Sequence, residues 1–141
     1  MAKASQVLIL ENEFYIIKAP NGKVLEVKNF NTENGAAIQL WSYAGHPWQQ
    51  WQFVDAGEGR WRIRNRFTGK FIDLALGGVV EGTWLHQWGR TSGLSQCWEL
   101  ESTRNGRTRI RNALADKYID LVGMNTANGA QAQIWNFVAG G

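Results

Sequence analysis

The chain has 141 residues, 44% of them hydrophobic, and a formal charge of +3. This fits one domain with a buried core and excludes disordered and fibrous classes. Its 15 basic residues against 12 acidic ones are too balanced for a dedicated nucleic-acid binder, and no run nears the roughly 20 apolar residues that span a bilayer, so neither nucleic acid nor membrane insertion is expected. One cysteine, Cys97, rules out an intramolecular disulfide, while 16 glycines and 8 tryptophans suggest tight turns between short strands.

Residues 6–10, Gln6-Val7-Leu8-Ile9-Leu10, form the first candidate strand. No charged segment followed by a long apolar one precedes it, so a cytoplasmic chain, or one released without a signal peptide, is expected. Alternating polar and apolar residues then predict a strand over 15–18, a turn at Pro20-Asn21-Gly22, and strands over 38–41 and 49–53. A strand over 62–65 follows, then a turn at Thr68-Gly69 and strands over 70–74 and 96–100. The last are a strand over 109–112 and a turn at Ala115-Asp116. Arg62, Arg64 and Arg66, and later Arg109 and Arg111, alternate with Ile63 and Ile110, which reads as the solvated face of strands.

These elements repeat. RIRNRFTGKFIDL, from Arg62, recurs as RIRNALADKYIDL from Arg109, with eight of thirteen positions identical at an offset of 47. Stepping back by the same offset reaches Tyr15 and YIIKAPNGKVLEV. Trp41, Trp88 and Trp135 keep this interval, as do Gly35, Gly82 and Gly129, each one residue after Asn34, Glu81 or Asn128. The whole chain, 1–141, therefore reads as one domain of three units, approximately 11–54, 55–101 and 102–141 plus 5–10. Four short strands in each give a closed all-β architecture. In this reading the strand over 6–10 closes the third unit from the N-terminus, since an open edge would leave backbone groups unpaired.

Gln49-Gln50-Trp51 and Gln96-Cys97-Trp98, 47 residues apart, resemble the QxW motif of the ricin-B-type (R-type) lectins, with Gln6-Val7-Leu8 a degenerate third copy. The likeness covers essentially the whole chain and implies a β-trefoil of pseudo-threefold symmetry, here permuted so that the last strand comes first. It also implies that Trp51 and Trp98 are core residues, and that the sites are sugar-binding without a cofactor or metal.

A pyranose offers vicinal hydroxyls on its edge and C–H groups on its face, so a shallow site needs a carboxylate, an aromatic ring and nearby amides. The resemblance assigns the carboxylate role to Asp73 and Asp120 and the stacking role to Trp88 and Trp135. Two residues before each ring stand Gln39, His86 and Gln133, as pocket walls. Where the family often has a sugar-bonding Asn before the QxW glutamine, this chain has Trp48, Ser95 or, through the permuted strand, Ser5, followed by Gln49, Gln96 or Gln6; Asn136 stands beside Trp135. In the first unit the acid is Glu26, paired with Trp41. Its extra methylene displaces the carboxylate by more than a bidentate geometry tolerates, which ranks the sites third, second, first.

The expected function is a multivalent lectin whose partners are glycans or glycoconjugates of galactose or N-acetylgalactosamine type; oligomeric state is left open. An enzyme is not expected. His46 and His86 belong to no nucleophile or metal set, and the repeated acids fall in separate units rather than facing each other across a cleft. The alternative is a protein-interaction β-trefoil, inhibitor or cytokine-like, that binds no sugar.

Overall fold

The computed structural model describes residues 9–121, 123 and 125–136. Ten strands run through them: β1 (Val24–Val27), β2 (Ile38–Trp41), β3 (Trp51–Gly57), β4 (Arg60–Asn65), β5 (Phe71–Leu74), β6 (Leu85–Trp88), β7 (Trp98–Ser102), β8 (Thr108–Asn112), β9 (Tyr118–Leu121) and β10 (Ala132–Trp135). All named pairings are antiparallel. β1–β2, β5–β6 and β9–β10 are three hairpins at the 47-residue interval, and β3–β4 and β7–β8 form the barrel wall, joined where Trp61 pairs with Trp98.

The hairpins meet through three equivalent bridges, Ala37 to His86, Trp84 to Gln133 and Gln131 to Gln39. Beside each, the repeated glycine donates its amide to the next unit: Gly35 to Gln87, Gly82 to Ile134 and Gly129 to Leu40, at 2.8–2.9 Å. Their φ angles of 88–91° are costly for any residue with a Cβ. The axis itself is closed by the Gln131 amide, which donates to the carbonyls of Ile38, Leu85 and Ala132. This arrangement is the β-trefoil.

The core lies along that axis. Trp51 and Trp98 are fully buried among Leu25, Ile38, Leu40, Ile63, Ile72, Leu74, Leu85 and Ile134. Each indole N–H is satisfied, by the carbonyls of Leu25 and Ile72 at 3.0 and 3.1 Å, as a buried donor must be. The third equivalent, Leu8, and the rest of the strand expected over 6–10 lie outside the described residues, apart from Ile9 and Leu10; Ile9 packs on the core.

Three expectations need correction. The strand over 15–18 is reduced to isolated bridges at Tyr15 and Lys18. At the corresponding positions Asn65 and Asn112 accept two backbone amides of the following turn and donate to the carbonyls of Trp48 and Ser95. A lysine side chain has no acceptor with which to fix that turn. Gln49 and Gln96, expected inside strands, instead end 3-10 turns, Pro47–Gln49 and Leu94–Gln96. Arg62 is not on a solvated face: it is buried, its guanidinium 3.4 Å from the Thr91 carbonyl. Arg111 is likewise no free cation, since it pairs with Glu99, Glu101 and Asp116.

Candidate carbohydrate sites

Each candidate site is one hairpin and the loop after it. Register places Glu26 opposite Gln39, Asp73 opposite His86 and Asp120 opposite Gln133, with Trp41, Trp88 and Trp135 at the strand ends two residues on. Residues two apart on a strand share a face, so acid, wall residue and indole emerge together. The three indoles are 39–41% exposed.

The QxW glutamines are tied to the loop that precedes them. Gln49 and Gln96 are fully buried. Gln49 accepts the amide of Ala44 and donates to the Ser42 carbonyl; Gln96 accepts the amide of Thr91 and donates to the Gly89 carbonyl. Expected among the contact residues, they are buried in the structure and bonded to the loop backbone. Buried amides need partners, and the loop backbone supplies them.

The three sites differ chemically. In the first, Glu26 is 5% exposed and both carboxylate oxygens are occupied, by Gln39 at 2.8 Å and by Gln49 at 3.0 Å. Trp48 stacks on His46 with centroids 4.2 Å apart and packs against Phe30 and Phe67. There the carboxylate is held by two side-chain amides, and the rings pack on one another. In the second, Asp73 is also buried and bonds His86 at 3.0 Å through one oxygen; the other oxygen is buried with no hydrogen-bond partner among the described residues. His86 stacks on Trp88, and a cleft opens between Asp73, Leu74, Leu76, Gly77, His86 and Trp88. Leu76 stands fully exposed at its rim with φ 55°, a strained conformation for leucine of the kind that collects at binding sites. In the third, Asp120 is only half-buried and its bond to Gln133 is long, 3.4 Å. Ser5 and Gln6 lie outside the described residues. The Ser95 side chain is half-buried, and its carbonyl receives Asn112.

Sequence reasoning missed that each site borrows from the preceding unit. Asn128 accepts the Ser42 amide beside Trp41, Asn34 accepts the Gly89 amide beside Trp88, and Glu81 receives the Asn136 amide beside Trp135. The signal was present, since these three residues precede the repeated glycines, but a linear repeat does not say which neighbour they face. Among the described residues no group of three His, Cys, Asp or Glu could hold a metal ion.

The family model for the ricin-type beta-trefoil lectin domain-like proteins matches residues 5–88 and 77–135. Among solved structures, the designed threefold-symmetric protein ThreeFoil is 29% identical, with 90% of this chain and 91% of that one covered and a TM-score of 0.87. An exo-beta-1,3-galactanase from Clostridium thermocellum is 30% identical over 95% of this chain, with a TM-score of 0.88, and this chain spans 29% of its length. The Macrolepiota procera ricin B-like lectin, solved in complex with lactose, shares the fold at 21% identity, with 95% and 93% covered and a TM-score of 0.79. Comparison with curated proteins gives no match.

Proposed function

Since the chain belongs to the ricin-type β-trefoil lectin-like family, a family of carbohydrate-binding lectins, we propose that it binds glycans through its second and third sites and catalyses no reaction. The observation that carries this reading is the contrast among the three carboxylates. Among the described residues, Glu26 has both oxygens bonded to side-chain amides, whereas Asp73 keeps one buried oxygen unpartnered and Asp120 has one long bond, to Gln133. A sugar hydroxyl donates where a carboxylate still has acceptor capacity. Beside Asp73 and Asp120, Trp88 and Trp135 offer half-open ring faces for the C–H face of the same pyranose.

The third site ranks first, with Asp120 on the hydroxyls, Trp135 on the ring, and Gln133 and Asn136 at the edges. The second uses Asp73, Trp88 and His86, with Ser95 at the rim. The first site takes no sugar in this mode, so Gln39, Trp41 and Trp48 serve structure there. A galactose or N-acetylgalactosamine type terminal sugar is the proposed ligand; lactose bound to the Macrolepiota procera lectin supports that choice. Affinity at one shallow site is weak, and two sites on a rigid body gain by multivalency on a dense glycan surface.

A glycan array followed by calorimetry with galactose tests this directly. Asp73→Ala with Asp120→Ala is expected to abolish binding while leaving the melting temperature within a few degrees. Undiminished galactose binding by that double variant refutes the assignment, and an array with no glycan bound favours a protein partner instead.

A further inference from the structure

We propose that Trp84 forms a second stacking platform at the third site, so that this site takes two consecutive sugar rings rather than one; the inference rests on the reading of Asp120 and Trp135 given above. Trp84 precedes β6 in the second unit, yet its Cα pairs across a bridge with Gln133 of the third. Residues opposed in this way project to the same face, with Cβ atoms roughly 4.5–5.5 Å apart. Gln133 sends its amide to Asp120, so the Trp84 indole emerges beside the wall of that carboxylate.

The segment leading to it is fixed to the third site at Glu81, Gly82 and Thr83. Gly82 donates to the Ile134 carbonyl at 2.9 Å, Ile134 donates to the Thr83 carbonyl at 3.0 Å, and Glu81 receives the Asn136 amide. A Cβ built on Gly82 would stand 3.7 Å from the Trp135 ring. The docked segment therefore holds the Trp84 backbone rigidly, as a preorganised platform requires.

The fold does not need an indole there. Trp84 is 56% exposed, more than Trp135 at 39%, while its neighbour Leu85 is fully buried and supplies the packing. The equivalent positions carry Ala37, opposite His86 of the second site, and Gln131, opposite Gln39 of the first. Alanine offers no ring, and the Gln131 amide is turned onto three axial carbonyls. Of these three equivalent positions, the one facing the third site carries an indole.

Position sets the ligand class. Gln133 and Trp135 are two residues apart on β10, about 7 Å along the strand, and Trp84 lies about 5 Å across from Gln133. One pyranose held by Asp120 and Trp135 does not cover both indoles, but the next ring of a linked oligosaccharide reaches the second. Stacking of such a ring beyond its contact area corresponds to roughly three- to tenfold in affinity.

The test is calorimetry with galactose and lactose on full-length Asp73→Ala protein, in which only the third site remains. Lactose is expected to bind about three- to tenfold more tightly than galactose. Adding Trp84→Ala should bring that ratio close to one, and Trp84→Phe should restore most of it. The same pair of measurements on Asp120→Ala protein, where only the second site remains, should give a ratio that Trp84→Ala does not change. A lactose preference that survives Trp84→Ala in the Asp73→Ala protein overturns the inference, as does one lost only from the Asp120→Ala protein. Equal weakening of both sugars also overturns it, because Trp84 would then be supporting the first ring. Failure of Asp73→Ala protein to bind either sugar removes the underlying reading of the third site, and the inference with it.

Discussion

Shortening Glu26 to aspartate isolates the difference between the fully bonded carboxylate of the first site and the partly bonded one of the second. The Glu26 carboxylate receives Gln39 at 2.8 Å and Gln49 at 3.0 Å inside a site where the residue is 5% exposed. At the equivalent position in the second unit, the shorter Asp73 makes one bond, to His86, and leaves its other oxygen unpartnered, while Gln96 donates to the Gly89 carbonyl. Glu26→Asp should reproduce that state by losing the bond to Gln49. A hydrogen bond to a charged group is worth about 1.5–3 kcal/mol, and leaving a buried acceptor unsatisfied costs within the same range. For a chain of this size that corresponds to roughly 5–12 °C in Tm. The reverse change, Asp73→Glu, should stabilise by about 1 kcal/mol as the longer side chain reaches Gln96, and should remove galactose binding from the second site when measured in Asp120→Ala protein. Urea unfolding followed by tryptophan fluorescence reads both stabilities. Were Glu26→Asp neutral, or Asp73→Glu to bind galactose unimpaired, the claim that one methylene separates a structural carboxylate from a ligand-binding one would be refuted.

Two other outcomes follow from backbone and protonation. Gly82→Ala and Gly129→Ala should each cost about 1–2 kcal/mol, because both glycines adopt φ near 90°, although a Cβ meets the Trp135 ring in one case and open space in the other. A much larger loss at Gly82 in thermal melts would show packing rather than backbone strain to be in control. Tyr118 ionises above the ordinary tyrosine range, chiefly because burial disfavours its charged form and also because it donates to Glu101. A raised folded-state pKa means the native protein holds its proton longer than the unfolded chain. Its stabilising contribution is therefore complete below about pH 10 and is lost as pH rises through the folded value. Tyr118→Phe should lack that part of the alkaline decline in unfolding free energy, and identical pH profiles for the two proteins would exclude it.

Much of the architecture was legible in the residues. A 47-residue offset linking two QxW copies, three glycines and three tryptophans implies equivalent positions in space, because identical side chains at a constant interval face identical environments. Strand placement followed from alternation of polar and apolar residues, as at Ile38–Trp41, which the structure reproduces. It failed at Gln49 and Gln96, where a polar residue before a core tryptophan looks like a strand but uses its amide to close a loop. It failed again at Arg62, because a long apolar stem can be buried while its charged tip finds a carbonyl.

From sequence alone, then, came the threefold all-β plan, a periodic property; the burial of Trp51 and Trp98 and the roles of acid and indole on each hairpin came from the family resemblance that the repeated motif carries. Which carboxylate is already spent, and which unit lends Asn34, Glu81, Asn128 or Trp84 to a neighbouring site, was decided only by the tertiary structure. Repeat spacing states equivalence but not adjacency. Free acceptor capacity depends on distances of a few tenths of an ångström between side chains far apart in the chain, and those distances are set when the three hairpins close around their common axis.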